Sequence, residues 1–493
     1  MTQAREQEDH AAPARPNILF ILIDDLGWKD LGCSGSRYYE TPNIDALAAS
    51  GVRFTNAYSS SPVCFPSRGA IYSGKNPART KYTSGFTLSI PEDKLIEKRE
   101  GTGIDRCHSA LQQVNLPMTE RLFSDALQEA GYATGHFGKW HLGFHPNYGP
   151  DKRGFQVAKG FRTIPCATLH SRHWGKTYRE YGVNMGEIKD DDYVADLLTD
   201  ECINFIRTNK HKPFLAVLSH FLFHHPFEGK PELVAKYQKK ATTDQCNPEY
   251  AAMVESVDES VGRLVATLQE LNLDQNTLVV FTSDNGGWAP PATSNYPLMG
   301  GKAFPFEAGM RVPLIASWPA VIKPGRIIKE RTIGMDFYPT FLEAVGAPLR
   351  PEQHVDGVSL MSVFSDSTPL PERPLLFHYP TYTGVTSPYS SIIEDNWKLI
   401  HFYNNETNGY LLFDLGLDPD ELNDLSEAKP ELVERLYQRM AQELKAMNAE
   451  APIPNSEYDS EADNLRDRDW TYNLAKKLRA GQEEMLKATK NSR

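Results

Sequence analysis

The stretch Ile18-Leu19-Phe20-Ile21-Leu22-Ile23-Asp24-Asp25-Leu26-Gly27 places two carboxylates directly after six apolar residues. The apolar run is too short to cross a membrane, and its lack of alternation predicts a strand buried on both faces, as in a parallel sheet. Buried carboxylates are costly unless something pairs them. A turn before Gly27 would account for them. The alternative is a hard-cation site at the carboxyl end of a central strand, where open α/β sheets place their ligands.

A second strand ends in the same way. Residues 277–282 are a buried strand by the same criteria, and Ser283-Asp284-Asn285-Gly286-Gly287 follows it. A turn explains Asn285-Gly286 by itself, but it does not explain why two core strands both end in cation-type ligands. An all-oxygen, carboxylate-rich set suits Ca²⁺ and suits Mg²⁺ less well. The predicted cation ligands are Asp24, Asp25, Asp284 and Asn285.

A cysteine lies in the stretch Cys64-Phe65-Pro66-Ser67-Arg68-Gly69-Ala70-Ile71-Tyr72-Ser73-Gly74. A small buried thiol is the simplest account of such a residue. Ser67, however, can cap a helix whose first turn would hold Arg68 and Gly69. Cys64 would then precede a helix N-terminus, where backbone N–H groups and the macrodipole favour an anion. With the Arg68 guanidinium nearby, the pattern predicts an electropositive pocket around a potential nucleophile.

Basic and imidazole side chains follow other predicted strands. Gly138-Lys139-Trp140-His141-Leu142-Gly143 follows a strand over 132–137, and its glycines permit close backbone approach. His220-Phe221-Leu222-Phe223-His224-His225-Pro226 follows a strand over 213–219. Its irregular spacing, without a cysteine or carboxylate, does not complete a zinc site. Gly300-Gly301-Lys302 lacks the rest of a phosphate-binding P-loop.

In their order along the chain, these motifs resemble those of the type I, formylglycine-dependent sulfatases of the alkaline phosphatase superfamily. The resemblance spans roughly residues 16–460 and is most specific in Cys-x-Pro-Ser-Arg with Gly74 beyond it. Phe65 departs from the pattern, because a smaller residue is usual there. The resemblance implies an α/β alkaline-phosphatase-like sandwich with a central, mostly parallel sheet, and a smaller C-terminal α+β subdomain with an antiparallel sheet.

The resemblance also implies a cofactor made from the chain itself. Cys64 would be oxidised to formylglycine (3-oxoalanine) by a formylglycine-generating or anaerobic maturating enzyme. The hydrated aldehyde would then be the nucleophile, and residue 64 would become a further cation ligand. Arg68 and Lys139 would offset negative charge, and Lys139 would contact both the sulfate and the nucleophile.

By their positions in the family pattern, three further residues would take part in proton transfer. His141 would bond the formylglycine hydroxyl and remove its proton. His224, together with Lys302, would bind the substrate and protonate the departing oxygen. His225 is the alternative to His224, whereas His220 is expected to be structural.

Two irregular stretches, residues 81–115 and 144–192, are candidates for substrate contact. The second holds Arg172 and His173 beside an aromatic residue, a combination that suits a sulfated sugar whose ring stacks while its charge is paired. A solvated loop is the simpler account of each residue taken alone. His378, in a later strand, would also contact substrate if it reached the cleft, although burial in the small sheet is the simpler account.

The chain of 493 residues exceeds what one core usually holds. We expect a disordered tail over residues 1–15, a catalytic domain over 16–371 and a C-terminal subdomain over 372–493. In the subdomain, short strands predict an antiparallel sheet with a helix over 430–447 on its outer face. A charged helix over about 465–489 ends the chain.

Composition and charge exclude several classes of function. A net charge of −12 disfavours a nucleic-acid partner, and no apolar run approaches the length of a membrane span. The polar N-terminus does not form a signal peptide. We therefore expect a cytoplasmic protein, or a periplasmic or secreted one if a leader was removed. Six scattered cysteines indicate neither a disulfide framework nor a zinc site, and the sequence leaves the oligomeric state open.

The predicted function is hydrolysis of sulfate esters, with a sulfated carbohydrate as the preferred substrate because the two irregular stretches are long and rich in cations and aromatic residues. Two alternatives remain. One is a phosphonate or phosphodiester hydrolase of the same superfamily, and the other is a sulfated-glycan binder that has lost catalysis.

Overall fold

A nine-stranded sheet lies at the centre of the computed structural model of the protein. The structure describes residues 15–83, 95–96, 105–143, 146–161, 174–175, 184–403, 409–459 and 467–491. The described strands are β1 (Asn17–Ile23), β2 (Val52–Tyr58), β3 (Leu95–Ile96), β4 (Cys107–His108), β5 (Gln112–Gln113), β6 (Ala133–Gly138), β7 (Val157–Lys159), β8 (Phe214–Ser219), β9 (Thr277–Ser283), β10 (Arg311–Ser317), β11 (Arg326–Ile328), β12 (Thr332–Ile333), β13 (Leu375–Tyr379), β14 (Tyr389–Glu394), β15 (Trp397–Phe402), β16 (Tyr410–Asp414) and β17 (Ile453–Pro454).

Helices cover both faces of this sheet and one face of a smaller one. The described helices are α1 (Pro42–Ser50), α2 (Cys64–Ser73), α3 (Pro77–Thr80), α4 (Phe123–Glu129), α5 (Val194–Asn209), α6 (Pro231–Gln238), α7 (Pro248–Glu270), α8 (Glu307–Met310), α9 (Phe337–Ala344), α10 (Met361–Phe364), α11 (Pro430–Ala446) and α12 (Arg468–Asn491).

The strands of the central sheet follow the order β11–β2–β10–β9–β1–β8–β6–β7, with β12 also beside β2. Strand β1 pairs in parallel with β8 and β9, and β6 pairs in parallel with β7 and β8. Strand β10 is antiparallel to both β9 and β2, whereas β11 and β12 are parallel to β2. Among the described strands of this sheet, β10 alone therefore runs in reverse, and the predicted mostly parallel sheet is confirmed.

Strand β1 is buried on both faces, as its continuous apolar sequence predicts. Leu19, Ile21 and Ile23 face a core formed with α1, α5 and α7. Ile18, Phe20 and Leu22 face a second core formed with α2, α4 and α9. Each of these six side chains is 0% exposed, and burying one such side chain contributes roughly 1.5–3 kcal/mol. This two-sided burial places β1 at the middle of the molecule.

The register of the sheet brings four strand ends together. Ile23 at the end of β1 pairs with Ser283 of β9, and Leu22 pairs with Ser219 of β8. Gly138 at the end of β6 also pairs with Ser219. The turns that follow β9, β1, β8 and β6 therefore lie side by side at one edge of the sheet.

The C-terminal sheet has the order β13–β14–β15–β16, and all of its pairs are antiparallel. Helix α11 packs on one face through residues such as Leu436, as predicted. The other face shares a core with Tyr58 and Phe306 of the preceding chain and with Tyr472 of α12. The two sheets are thus joined by continuous apolar packing, and a domain boundary at residue 371 stays a prediction.

The described part of the chain begins at Arg15. Arg15 already contacts Ala130 through a guanidinium hydrogen bond of 2.6 Å, although it is the last residue of the tail predicted to be disordered. The rest of that tail lies outside the described residues. Two further two-stranded sheets pair β3 with β5 and β4 with β17. Among the described helices, none combines the length and the apolar character needed to span a bilayer.

A buried ion cluster ties the C-terminal sheet to the central one. Lys398 of β15 lies 2.7 Å from the Glu421 carboxylate and 3.2 Å from that of Glu307, and all three side chains are 0% exposed. The Tyr58 hydroxyl donates a 2.8 Å hydrogen bond to Glu307, and Arg311 contacts the same carboxylate at 2.9 Å. Lys398 is thus shared by two carboxylates that have little access to water.

Replacing Lys398 by methionine should destabilise the protein by about 3–5 kcal/mol, because the change leaves buried charge without its partner. Burial raises the pKa of Glu421 to about 7 even beside Lys398, and loss of Lys398 should raise it further. Since the folded variant then takes up a proton, its stability should fall as pH rises above the ordinary glutamate range. Denaturant unfolding at pH 5 and pH 8 should show the larger loss at pH 8.

The matched control is Lys429→Met, which removes an exposed lysine that lies over the Trp397 ring at 5.3 Å. It should change stability by less than about 0.5 kcal/mol. Equal effects of the two substitutions, or a Lys398→Met loss that does not grow with pH, would contradict the role assigned to the cluster.

Candidate active site

Four oxygen-bearing side chains meet where β1 and β9 end. Asp24 and Asp25 follow β1, Asp284 and Asn285 follow β9, and all four are 0% exposed. The Asp25 backbone N–H donates to Asp284 Oδ1 at 3.2 Å, and Asn285 Nδ2 donates to Asp25 Oδ1 at 2.8 Å. The two acidic turns therefore form one cluster, as the parallel pairing of their strands requires.

Each of the three carboxylates is paired with its own cation, of which Arg68 and Lys139 are buried and Lys302 is partly buried. The three contacts, each of 2.6 Å, are Lys139 Nζ–Asp24 Oδ2, Lys302 Nζ–Asp25 Oδ2 and Arg68 Nε–Asp284 Oδ2. The cations come from three different parts of the chain: helix α2, the turn after β6 and the segment before α8. Formal charges in the cluster thus cancel in the protein alone.

Two oxygen atoms of the cluster remain available to a further ligand. Asp24 Oδ1 and Asn285 Oδ1 are buried and accept no hydrogen bond from the described residues. Oxygen atoms of Asp24 and Asp284 also lie within 4.8 Å of each other and of Cys64 Sγ. Buried acceptors without donors, grouped with carboxylates at this spacing, fit a divalent cation. Asp24, Cys64 and Asp284 thus form a candidate metal site.

The pKa values of the two adjacent carboxyl groups, Asp24 and Asp25, are shifted in opposite directions. Burial raises the pKa of Asp25 to about 6, and the neighbouring Asp24 charge adds to this shift. Burial would also raise the pKa of Asp24, but Lys139, His224 and Arg68 hold it well below its usual range. Asp24 is therefore the firmly ionised member of the pair, as a metal ligand must be.

Helix α2 begins at Cys64, four residues earlier than a Ser67 cap would place it. Val63 has extended backbone angles and is the residue before the helix. Pro66 occupies the third helical position, where its missing N–H would have had no partner within the helix. Ser67 is buried inside the helix and caps nothing, so that expectation was wrong. Residue 64 nevertheless lies at the positive end of the helix macrodipole.

The thiol of Cys64 is neutral in these surroundings. Burial raises its pKa to about 11, and although Lys139 and Lys302 act in the opposite direction, Asp24 and Asp284 add to the effect. The predicted electropositive pocket therefore has its cations, but the carboxylates beside them cancel their influence on the thiol. An unmodified Cys64 is a poor nucleophile at neutral pH.

Phe65 is accommodated by an aromatic stack. Its ring lies 3.7 Å from that of Tyr82, nearly parallel, and 5.2 Å edge-on from the His141 ring. The Tyr82 hydroxyl donates to the His141 backbone oxygen at 3.0 Å. The large residue at position 65 therefore forms a wall against which His141 packs.

His224 and Lys302 also lie close to the carboxylates. His224 is 9% exposed, and its charge contributes to the low pKa of Asp24. Its Nδ1 donates to the His225 backbone oxygen at 3.0 Å. His220 instead lies in the core, with Nε2 3.0 Å from Ser260 Oγ and a pKa lowered to about 3 by burial. The structure thus brings His224, rather than His220, to the carboxylates.

Comparison with known proteins identifies the family of this chain. The sequence model of the Sulfatase family matches residues 16–347, and that of the N-sulphoglucosamine sulphohydrolase C-terminal region matches residues 299–450. The chain belongs to the sulfatase family. Membership confirms the predicted resemblance and the predicted sulfuric ester hydrolase activity of this sulfatase.

Relatives of the sulfatase match over most of their length. N-acetylgalactosamine-6-sulfatase of Homo sapiens is 31% identical over 468 residues, which cover 86% of this chain and 84% of the relative. Steryl-sulfatase of Homo sapiens is 29% identical, with 86% of each chain covered.

Solved structures confirm the predicted alkaline-phosphatase-like fold. The structure of Ps i-CgsB in complex with k-i-k-neocarrahexaose superposes with a TM-score of 0.73 and 27% identity, covering 94% of this chain and 98% of that one. The phosphonate monoester hydrolase of Agrobacterium radiobacter gives a TM-score of 0.61 at 19% identity, with 89% and 99% covered. The second likeness shows a shared fold alone.

Sequence analysis of the sulfatase missed two residues that contact the predicted ones. Ser219 Oγ donates to the Lys139 backbone oxygen at 2.7 Å and accepts from Arg68 Nη1 at 2.6 Å. The Trp288 ring lies 4.6 Å from Lys302 Nζ. Their positions in the sequence could have indicated them: Ser219 is the last residue of β8, and Trp288 directly follows the second acidic turn.

One predicted substrate contact lies away from the site in the described part of the sulfatase. His378 is 2% exposed within the C-terminal sheet, where Nδ1 lies 2.7 Å from Ser390 Oγ and Nε2 lies 2.9 Å from the Glu450 backbone oxygen. Because structural groups occupy both ring nitrogens, its assignment to substrate binding was wrong. Arg172 and His173 lie outside the described residues.

A divalent cation should stabilise the sulfatase through Asp24 and the acceptors around it. Adding Ca²⁺ at about 100 times its Kd to chelator-treated protein should raise the unfolding temperature by about 2–5 °C. Asp24→Asn should abolish this rise, because the carboxylate charge is lost while side-chain size is kept. Differential scanning fluorimetry, with Mg²⁺ titrated in parallel, measures the effect within each variant.

Asp30→Asn is the matched control. Asp30 is also 0% exposed, but its carboxylate already accepts hydrogen bonds from the Gly27 backbone at 2.9 Å and from the Tyr250 hydroxyl at 2.6 Å. This variant should keep the cation-dependent rise whatever its own stability. A rise that survives in Asp24→Asn and disappears in Asp30→Asn would show that the cation binds elsewhere.

Alkylation of unmodified Cys64 should report its raised pKa. With a pKa of about 11, about one thiol in a thousand is ionised at pH 8. The rate of iodoacetamide labelling at Cys64, followed by mass spectrometry, should therefore rise roughly tenfold per pH unit between pH 8 and 10. In urea-unfolded protein the rise should level off near pH 9. Limited access scales every rate equally, so a folded-state plateau below pH 9 would show that the thiol is not held neutral.

Proposed function

We propose that this sulfatase removes sulfate from a carbohydrate, with formylglycine formed at position 64 and Ca²⁺ held beside it. One observation supports the proposal above all: Cys64 Sγ lies within 4.8 Å of oxygen atoms of Asp24 and Asp284. These atoms lie at the N-terminus of helix α2, among the cations that pair with the carboxylates. Such a place suits a nucleophile that must attack a negatively charged ester.

Support for a carbohydrate comes from the named relatives. The N-acetylgalactosamine-6-sulfatase of Homo sapiens, 31% identical, carries a sugar sulfate in its name, and Ps i-CgsB was solved with an oligosaccharide. Steryl-sulfatase is similar at 29% identity and names a different substrate class. We favour the sugar because a sequence relative and a solved structure both point to a carbohydrate, and because the N-acetylgalactosamine-6-sulfatase is slightly more similar in sequence than the steryl-sulfatase.

The two added groups bring chemistry that the amino acids lack. When present, hydrated formylglycine supplies one hydroxyl that attacks sulfur and a second whose deprotonation releases sulfate, while the cation neutralises an ester oxygen. Asp24, Asp25, Asp284, Asn285 and residue 64 would hold the cation. We assign Ca²⁺ rather than Mg²⁺, since the protein ligands are oxygen-rich and carry several carboxylates. A formylglycine-generating or anaerobic maturating enzyme would be the required partner.

With a dication bound, the cluster would attract an anionic ester. The three carboxylates and their three cations cancel, so a bound dication leaves two positive charges, which would attract the singly charged sulfate ester and balance the sulfate dianion that it releases. Arg68 is fixed by Ser219 and by the Lys139 backbone oxygen at 2.9 Å. We therefore give Arg68 the task of holding Asp284 and the local field in place, and give contact with the sulfate to Lys139 and Lys302.

Proton transfer is assigned to three side chains. Because His224 Nδ1 is bonded to the His225 backbone oxygen, we place the proton that moves to the departing sugar oxygen on His224 Nε2. Lys302 Nζ supports this transfer from the same side of the cluster. His141, held against Phe65, takes the proton from the nucleophile side.

Modified protein should release sulfate from at least one member of a panel of defined sulfated oligosaccharides. It would be coexpressed with a formylglycine-generating enzyme, and mass spectrometry of the residue 64 peptide would confirm the aldehyde beforehand. Cys64→Ala should abolish turnover. His224→Ala should lower kcat about 10²–10⁴-fold on sugar sulfates and much less on 4-nitrophenyl sulfate, whose leaving group needs no proton.

The control is His211→Ala, which removes an exposed histidine and should leave both rates unchanged. Phosphate diesters and phosphonates would be assayed beside the sulfates. Faster turnover of those esters would contradict the proposed substrate, and the absence of sulfate release from the whole panel would point to a glycan binder without catalysis.

A further inference from the structure

Trp288 lies between the two side chains to which we assign proton transfer at the leaving group. Lys302 Nζ lies 4.6 Å from its ring centroid. The His224 ring meets the indole edge-on at 5.8 Å and an angle of 89°, and the His225 ring does so at 5.0 Å and 77°. One side chain therefore contacts both members of the proposed acid pair.

The indole is held by one hydrogen bond, and the backbone beside it is held by another. Its Nε1–H donates to the Phe223 backbone oxygen at 3.0 Å, directly before His224 in the chain. On the other side, the Lys302 backbone N–H donates to the Gly287 backbone oxygen at 2.7 Å. Gly287 and Trp288 thus contact Lys302 through both its backbone and its ammonium group. The position of the indole is coupled directly to the turn that carries His224.

Lys302 needs such a second contact. Its Nζ pairs with Asp25 Oδ2 at 2.6 Å, and a lysine held by one carboxylate oxygen can still rotate about its flexible stem. An aromatic face within about 6 Å attracts an ammonium, and it limits that rotation to positions above the ring. The indole edge similarly contacts the His224 ring, whose Nδ1 donates to the His225 backbone oxygen, and so limits the orientations open to that ring.

We propose that Trp288 is a positioning residue that holds Lys302 and His224 in the relative geometry needed to protonate the leaving oxygen. The proposal rests on the proposed function of those two residues. Trp288 follows the acidic turn of β9 as a half-buried residue that also packs against the margin of the core. Trp288 acts through its neighbours and is given no bond-making role.

The test is the dependence of kcat on the leaving group in modified protein. Trp288→Leu should lower kcat about 10–100-fold for sulfate esters with poor leaving groups, since general-acid catalysis contributes about 10²–10⁴-fold. It should lower kcat less than about threefold for 4-nitrophenyl sulfate, because that leaving group departs without a proton. Trp288→Phe keeps an aromatic face and loses the N–H, so its loss should be intermediate. An equal loss for all esters, or none, would overturn the proposal.

A second measurement needs no catalysis. Amine-directed labelling of unmodified protein, quantified at Lys302 by mass spectrometry, should rise severalfold in Trp288→Leu and little in Trp288→Phe. Unchanged labelling at Lys302 in Trp288→Leu would overturn the proposal. If the wild-type protein released no sulfate from any ester, the proposed function would fail, and labelling would still decide whether Trp288 restrains Lys302.

The matched control is Trp397→Leu. Trp397 is also half-buried and lies beneath a lysine, with Lys429 Nζ at 5.3 Å, but it belongs to β15 of the C-terminal sheet. This variant should leave the leaving-group dependence and the labelling of Lys302 unchanged. Thermal unfolding of all variants would verify folding before the rates are compared, and a Trp397→Leu profile identical to that of Trp288→Leu would overturn the specific role.

Discussion

Three carboxylates without access to water are the constraint on which this molecule depends. Asp24, Asp25 and Asp284 are each 0% exposed, and removing such ions from water costs several kcal/mol apiece. Their charge must be balanced by cations, and these come from distant parts of the chain. A helix, a strand turn and a distant loop must therefore all reach one edge of the sheet. The same requirement leaves lone pairs of oxygen unshared, and these give the cluster its capacity for a metal ion. Fold and chemistry here have one electrostatic cause.

Local patterns in the sequence were sufficient for the frame of the molecule. Continuous apolar runs predicted β1, β8 and β9, alternating short strands predicted the C-terminal sheet, and acidic turns located one edge of the central sheet. Properties that sum over distant groups were not predictable in this way. The pKa of Cys64 depends on burial and on charges that follow four separate strands and loops. The position of His378 likewise depends on which sheet neighbours reach its ring, and its sequence context does not record them.

The site also contains backbone conformations that its residue types do not favour. Asp25, His141 and Ala303 have positive φ angles of 62°, 64° and 72°. Each such conformation costs on the order of 1–3 kcal/mol and persists only when its surroundings over-determine it. Here the surroundings are ion pairs and the aromatic wall of Phe65 and Tyr82. Glycine is the residue expected at positions with positive φ. The sequence therefore indicated where these turns lie but did not indicate their backbone conformation.

The distribution of the paired charges along the chain has a consequence for biosynthesis. The carboxylate of Asp25 finds its cation in Lys302, which leaves the ribosome 277 residues later. The N-terminal part of the chain is synthesised first, so β1 emerges long before the cation that pairs with Asp25 in the folded protein. Until that partner arrives, β1 cannot be buried in the centre of the sheet at low cost, and contacts so distant in sequence form slowly. The ion pairs that shape the site therefore also delay its closure until most of the chain exists.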